Sequence, residues 1–434
     1  MRYRHGVLLG LLLLAVITYL DRVCITFASV RMQQDLDLDP RQWGFVLGAF
    51  TISYAIFAIP GGTLGDRIGG RSILSRFVLW WSVFTASTGL ARGYLSLLSI
   101  RFLFGAGEAG AFPNMSSVIS RWFPQRERAR AIGLTWMASR VGGALAPWIV
   151  IPLQQRFGWR VAFMWLGGIG LAWAAGWYVF YRDHPRLMKG VTAKELEEIG
   201  DTPAIAKSHR LPWKEAVRSR NFILILLMYH TYCWGSYFYI SWMPTYLQRG
   251  RGFTENDLKI WGMLPFLLSG TATLFGGILS DKLVPIIQIK WARRSIGAGG
   301  LLLGGLFMGA AAAVPDNRLA ATFLAVGYGC MDAMLPVSWA VCMDVGGPHA
   351  GALSAAMNTS GQVASFLSSV AFGFAVEALS HHFSPQASYS IPVYPLAAML
   401  IISGLLFLKI DASQPLAGLP EPVPSPDLEP LSAG

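Results

Sequence analysis

The sequence predicts an all-α membrane protein of twelve transmembrane helices, arranged as two pseudo-symmetric bundles of six. Three observations carry that prediction. The 434 residues are 53% hydrophobic and only 14% charged, with a mean hydropathy of +0.46, far from the balance of a water-soluble domain. Apolar runs of about 20 residues, the length a helix needs to cross a bilayer, recur along the chain. A short Gly- and Asp-containing motif follows the second run and returns, altered, after the eighth.

The runs fall at roughly 6–30, 42–64, 73–92, 95–121, 131–153, 160–181, 221–247, 258–280, 295–314, 319–342, 351–377 and 391–409. Arg2 and Arg4 ahead of GVLLGLLLLAVITYL would also suit a signal peptide, but Asp21 and Arg22 stand where a small-residue cleavage site belongs, so span one is read as an uncleaved anchor. The longest polar segment, Arg182 to Arg220, separates the sixth span from the seventh. It divides the chain into an N-terminal six-helix bundle (1–181), a linker (182–220), a C-terminal six-helix bundle (221–409) and a Pro-rich tail (410–434) that reads as disordered.

Basic residues set the orientation. Those outside the spans crowd the segments on the side of the N-terminus, nine of them between Arg182 and Arg220, while the opposite loops together hold nine. By the positive-inside rule both termini are cytoplasmic. The net charge of +11 comes largely from this asymmetry, which suits an anionic inner leaflet rather than nucleic acid. Cys24, Cys233, Cys330 and Cys342 sit singly in apolar spans and read as buried structural thiols, with no metal-ligand spacing. His230, the one histidine at membrane depth, reads as a packing residue.

The repeated motif is GGTLGDRIGGR at Gly61 to Arg71 and GGILSDKLVPI at Gly276 to Ile286, a shared G-G-x-L-x-D-[RK] between equivalent helices. Gly62, Gly65, Asp66, Arg67, Gly69 and Arg71 resemble the loop signature of the major facilitator superfamily, with a weaker copy at Gly277, Asp281 and Lys282. Glycine suits a tight turn and close helix packing, and an Asp beside an Arg can latch helices together in one transporter conformation. YLDRVCI (Tyr19 to Ile25), RFLFGAGEAGAFPNMSSVISRWFPQRERARAIGL (Arg101 to Leu134), SRVGGALAP (Ser139 to Pro147), YFYISWMPTYL (Tyr237 to Leu247) and PHAGALSAAMNTSGQ (Pro348 to Gln362) resemble the anion:cation symporter branch of that superfamily. The branch includes hexuronate, aldonate and aromatic-acid transporters and the sialic acid, phosphate and vesicular glutamate carriers. The resemblance implies proton-coupled symport of an organic anion, such as a sugar acid or another carboxylate, by a monomer of the bacterial inner membrane. It implies no cofactor beyond the proton.

Physical cost singles out the same residues. A charge at the centre of a spanning helix costs about 2.5 to 3.5 kcal/mol on insertion scales, so each should face the bundle interior or a water-filled path. Asp21, Arg22, Arg101, Glu108, Arg140 and Asp332 all lie near mid-span. Arg101 and Glu108, seven residues apart, share one face of span four about 10 Å apart along the axis, too far for a direct salt bridge. Gly105, Gly107 and Gly110 between and beside them should admit a neighbouring helix. A structural tie to Asp21 and Arg22 in span one would also explain the pair. Chemically, Arg22 and Arg101 can hold a carboxylate through a planar fork, while Asp21 and Glu108 can titrate. In the symporter branch the equivalent four positions carry substrate and proton coupling. The resemblance therefore assigns protons to Asp21 and Glu108 and the anion to Arg22, with Arg101 orienting Glu108.

Arg140 in WMASRVGGALAP is either a second anion clamp or the partner of an intramembrane acid, with Asp332 in GYGCMDAMLP the best candidate. Asp332 is in turn a second proton site or a helix-packing hydrogen-bonder. Tyr54, Trp136, Ser139, Tyr232, Tyr237, Ser338, Asn358 and Gln362 are candidates to complete the pocket, since a hydroxylated anion needs donors and acceptors besides a clamp. Tyr54 and Asn358 stand out by resemblance to substrate-contacting positions of the branch. An intramembrane enzyme would need a nucleophile with its base, or a metal set, and no such pattern stands out. A drug or metabolite exporter of the same fold usually carries a G-P-x-x-G-G signature in span five, where this chain has GGALAPW. A facilitator of a neutral solute would not need acids and arginines facing one cavity.

Overall fold

The computed structural model describes residues 2–188, 190–199 and 213–414. The described residues form helices and connections, with no strand among them. Twelve helices are long enough to span a membrane: α1 (Tyr3–Phe27), α2 (Pro40–Ile68), α3 (Gly70–Thr88), α4 (Tyr94–Trp122), α5 (125–157), α6 (159–180), α7 (Arg220–Ser241), α8 (258–286), α9 (289–313), α10 (Asn317–Gly346), α11 (Ala350–Ser380) and α12 (Pro385–Phe407). Seven stretches are apolar enough to be recognised as spans on composition alone, and two of them are double spans. Of the remaining helices, α3 carries arginines and α7 a run of tyrosines with a histidine and a tryptophan, which lower their hydropathy without shortening them.

The spans predicted at 131–153 and 160–181 are joined almost without a loop. Gly158, with φ of 79°, reverses the chain between α5 and α6 in a conformation that costs glycine nothing. Between α8 and α9 the polar stretch after Ser280 is helical, and the break falls at Ile287 and Gln288, beyond the motif. The helix ends extend because backbone groups that leave the bilayer core still gain by staying hydrogen-bonded within the helix.

α1 packs on α5 and α6, α2 on α4, and α3 on α6; α7 packs on α11 and α12, and α9 on α10 and α12. These two sets meet along two seams, α2 against α11 and α5 against α8. The end of the bundle that carries the start of α1 and the end of α12 is called here the terminal end, and the other the far end. At the far end, hydrogen bonds tie one set to the other. Arg31 donates to both oxygens of Glu255 (2.5 and 2.9 Å), Gln154 and Gln155 donate to the same carboxylate (3.3 and 3.1 Å), and Arg249 donates to Gln33 (3.0 Å). Ser29 and Thr245 share a hydrogen bond of 2.7 Å.

At the terminal end the first motif copy forms the last turns of α2 and turns at Gly69 (φ of 92°). Arg71, just inside α3, donates its backbone N–H to Asp183 (3.0 Å) and its guanidinium to the Tyr178 carbonyl (2.7 Å). Gly62 faces Pro113 of α4. The side chains of Asp66 and Arg67, the predicted latch, lie outside the described residues. In the second copy Asp281 pairs with Arg293 of α9 (2.7 Å) rather than with a motif neighbour, and Arg293 also reaches Asp344 of α10 (3.0 Å), so that one arginine joins three helices.

Candidate functional site

Six charged residues predicted at membrane depth are all buried, and the structure sorts four of them into two ion-pair centres, one within the first set of helices and one between the two sets. In the first, Arg22 of α1 donates its Nε to Glu108 of α4 at 2.8 Å, and its Nη2 contacts the same carboxylate oxygen. The Arg22 guanidinium is packed by the rings of Tyr19, Phe50 and Tyr54, at 4.8, 5.1 and 5.3 Å from the centroids. Flat aromatic faces suit a guanidinium better than hydrocarbon, because they offer partial negative charge without an acid to neutralise it.

Glu108 is the last residue of the first segment of α4, which restarts after Ala109 and Gly110. The small residues work as expected. Gly105 lies so close to the Phe50 backbone that a side chain there would collide with it, which sets the α2–α4 distance. Arg101, by contrast, does not orient Glu108. Its guanidinium lies over Phe104 (4.6 Å) and Phe50 (5.3 Å), its Nε has no hydrogen-bond partner, and among the described residues no acid stands within ion-pair distance of it. Two helical turns put Arg101 and Glu108 on one face but far apart along it, and the nearer cation comes from α1.

Asp21 is 1% exposed, and both of its carboxylate oxygens lack a hydrogen-bond donor. The nearby Trp81 indole N–H is likewise buried without a hydrogen-bond partner.

The second centre joins the two sets of helices. Arg140 of α5 donates to Asp332 of α10 at 2.8 Å and to the Tyr328 hydroxyl at 3.0 Å. Asp332 also accepts from Tyr232 of α7 (2.6 Å) and from Ser269 of α8. Of the alternatives left open for these residues, the geometry shows Arg140 as the partner of an intramembrane acid and Asp332 as a helix-packing hydrogen-bonder. The pair is direct, and it is held inside a polar network that four helices build.

Tyr19 connects the centres. Its ring has Arg22 on one side at 4.8 Å and Arg140 at 5.5 Å. The Tyr54 ring packs on Arg22, while on the other side the Tyr328 hydroxyl accepts from Arg140 and the Tyr232 hydroxyl is committed to Asp332. On the terminal side of these charges Tyr19, Phe112, Trp136 and Trp339 form a row of rings that crosses from one set to the other, with centroid spacings of 6.3, 4.5 and 6.5 Å. Trp136, Trp339, Phe112 and Asn358 are half-buried rather than closed off. Gln362, one turn from Asn358 on α11, has a buried Oε1 without a donor.

Two predicted pocket residues are not pocket donors. Ser139 donates to the Trp136 carbonyl (2.6 Å) and Ser338 to the Leu335 carbonyl (2.7 Å), the back-bond that a mid-helix serine makes to its own preceding turn. His230 behaves as the packing residue expected, its Nδ1 3.0 Å from the Ser360 carbonyl. Cys24, Cys233 and Cys342 are buried free thiols, while Cys330 is only half-buried. Sequence reasoning missed Tyr19, Tyr328 and Ser269. Tyr19 and Tyr328 lie one turn from Arg22 and Asp332 on the same helix faces, a spacing that could have flagged them, whereas Ser269 comes from another helix and left no local signal.

Twelve spans in two sets, with ion pairs buried at mid-depth on discontinuous helices, are the architecture of a secondary transporter. The chain matches the model of the Major Facilitator Superfamily over residues 11–369 and belongs to that family, within its anion:cation symporter branch. It is an integral membrane transporter and not an enzyme. Similar proteins include the "Probable sulfoacetate transporter SauU" of Cupriavidus necator, 32% identical and aligned over 94% of both chains. The hexuronate transporter of Bacillus subtilis is 30% identical over 78% of this chain and 80% of its own, and the D-galactonate transporter of Escherichia coli O6:H1 is 32% identical over 71% and 74%. Among solved structures, an inward-facing bacterial homologue of the human lysosomal transporter Spinster superposes with a TM-score of 0.78 at 22% identity, covering 95% of this chain and 97% of its own. A D-xylose–proton symporter superposes at 0.75 and 14% identity, over 94% and 98%.

Proposed function

We propose that this protein moves a small organic anion, a sugar acid or a comparable carboxylate or sulfonate, together with protons across the bacterial inner membrane by alternating access. The relatives named for sulfoacetate, hexuronate and D-galactonate all carry organic anions, which supports the substrate class. The observation that carries the mechanism is the Arg22–Glu108 pair beside a donor-free Asp21. An incoming carboxylate and the Glu108 carboxylate compete for one guanidinium. Protonation of Glu108 weakens its hold and frees Arg22 for the anion, and Asp21 is the second proton carrier. Tyr54, Tyr237, Asn358 and Gln362 supply hydrogen bonds to the anion, Trp136 supplies an apolar wall, and Arg101 provides a positive field without a fixed acid. The far-end hydrogen bonds and the half-open aromatic row support a conformation that loads and unloads from the terminal end, which the distribution of basic residues makes cytoplasmic. The protein works as a monomer and needs no cofactor other than the transported proton.

The test uses proteoliposomes under an imposed pH gradient, with labelled sulfoacetate and D-galactonate as probes. The Glu108→Gln protein keeps a neutral hydrogen-bond partner for Arg22 but cannot titrate. It should lose gradient-driven uptake while retaining exchange of labelled for unlabelled anion. Full gradient-driven uptake by this variant would refute the proton role of Glu108, and failure of the wild-type protein to move either anion would refute the substrate class.

A further inference from the structure

Arg140 has no place in the reaction just described, and its surroundings resemble those of Arg22. Both guanidinium groups lie against Tyr19, at 4.8 and 5.5 Å from its centroid, which bounds their separation at about 10 Å. Both are held by a single acid, and both are packed by two tyrosine rings, Tyr19 and Tyr54 for Arg22, Tyr19 and Tyr328 for Arg140. The two cages differ in one respect that matters. Arg22 and Glu108 come from one set of helices, whereas Arg140 and Asp332 come from opposite sets.

Asp332 is also built to survive losing its arginine. Tyr232 and Ser269 donate to its two oxygens separately, so a swing of Arg140 toward a ligand leaves the carboxylate with two hydroxyl donors. A pair serving only to tie α5 to α10 would gain nothing from such insurance. Gly270 of α8 packs directly on the Arg140 stem, where a side chain would crowd it, so α8 holds the base of the side chain.

From this duplication, and resting on the anion-transport reading above, we infer that the substrate is a dianion. One anionic group is held by Arg22 and the other by Arg140, with Tyr19 beneath the short backbone that joins them. The two heads can stand no farther apart than the two arginines permit, which fits a carboxylate and a sulfonate on a two-carbon unit as well as the two ends of a six-carbon sugar diacid. A monoanion of equal length would fill one cage and leave the other unused. Because Arg140 belongs to one set of helices and its resident acid to the other, a dianion that replaces Asp332 also loosens a tie across the α5–α8 seam.

Binding to purified, detergent-solubilised protein by isothermal titration calorimetry tests this with matched pairs: galactarate against D-galactonate, and sulfoacetate against 2-hydroxyethanesulfonate. The wild-type protein should favour the dianion of each pair by at least about 30-fold, the scale of one buried charge-assisted contact. In the Arg140→Gln, Asp332→Asn double variant, which removes both charges together and so leaves no buried ion unpaired, the preference should vanish while monoanion binding persists. The Asp332→Asn single variant should bind the dianion more tightly, because Arg140 is released. A purely structural tie predicts weaker binding of every anion in that variant, and this result would overturn the inference. Equal binding of dianion and monoanion by the wild-type protein would also overturn it while leaving anion transport intact, and absence of binding by all four anions would overturn both readings.

Discussion

The far-end clasp offers the most direct measurement of the conformational balance. Arg31 and Glu255 belong to opposite sets of helices, and their hydrogen bonds at 2.5 and 2.9 Å can exist only while the far end is shut. Arg31 is 40% exposed and Glu255 20%, so solvent screens the pair and holds its worth to at most about 1 kcal/mol. Gln154 and Gln155 add two hydrogen bonds that are strengthened by the carboxylate charge, and each weakens by about half when the acceptor becomes neutral. Glu255→Gln therefore removes about 1 to 2 kcal/mol from the closed far end, a shift of about 5- to 30-fold in the open-to-closed ratio. Spin labels at Arg92→Cys and Arg318→Cys, exposed far-end positions in opposite sets, would report it as a gain in the long-distance population by pulsed electron paramagnetic resonance. The native cysteines are buried or half-buried, which favours labelling at the introduced sites. An unchanged distance distribution in the Glu255→Gln protein would show that the clasp follows closure rather than sustaining it.

Two further outcomes concern the terminal end. Asp411 follows α12 and, despite partial burial, is held down to about 2 by hydrogen bonds from Lys290 (2.8 Å) and Ser413. Its folded-state value lies below the ordinary one near 4, so its stabilisation is present above pH 4 and disappears as pH falls toward 2; Asp411→Asn should lower the thermal midpoint at pH 7, and the gap to wild type should close by pH 2, with a constant gap arguing against the ion pair. Arg4, 1% exposed, bridges Glu127 (3.2 Å) and Glu198 (3.3 Å), while Glu195 of the linker helix Ala193–Ile199 accepts the backbone N–H groups of Tyr3 and Arg4 (3.2 and 3.0 Å). The half-exposed acids can recover water, so Arg4→Gln should cost about 1 to 2 kcal/mol and speed protease cleavage within the linker, and an unaltered cleavage rate would refute a docking role for Arg4.

How much of this was legible in the sequence depends on whether the information was local. The depth of Asp21, Arg22, Arg101, Glu108, Arg140 and Asp332 followed from counting along apolar runs, because a bilayer imposes one length on every span. Partnership did not follow. Arg101 and Glu108 share a helix face, yet the cation that Glu108 meets is fixed by how α1 sits against α4, a tertiary fact with no trace in the spacing. Arg140 and Asp332 were named as candidate partners only because each was a mid-span charge left without another, and their contact is set by how α5 meets α10. Ser139 and Ser338 misled for the opposite reason: the local back-bond to the preceding turn, always available to a serine in a helix, outcompeted the pocket. The helices run past the apolar spans that end near 280 and begin near 295, because polarity marks the membrane boundary and not the end of a helix.

The charge inventory of the core bears on why protons and anions should move together. Three arginines and three acids are buried at mid-depth, so the core is neutral when all six are ionised. On the proposed reading, an anion entering alone would leave a net negative charge among apolar helices, at a cost that each insertion scale puts at several kcal/mol. A proton entering with it restores neutrality, and the two need not touch. At about 10 Å and an effective dielectric of 20 their attraction is still about 1.7 kcal/mol, more than a tenfold preference for joint occupancy. Direct competition for Arg22 adds to this, since Glu108 gives up the guanidinium most readily when protonated. The same reasoning assigns each proton to a charge on the substrate. A dianion spread between Arg22 and Arg140 calls for two, and Asp21 and Glu108 are the acids placed to carry them, leaving Asp332 with its hydroxyl donors as the fixed charge that Arg140 returns to when the site empties.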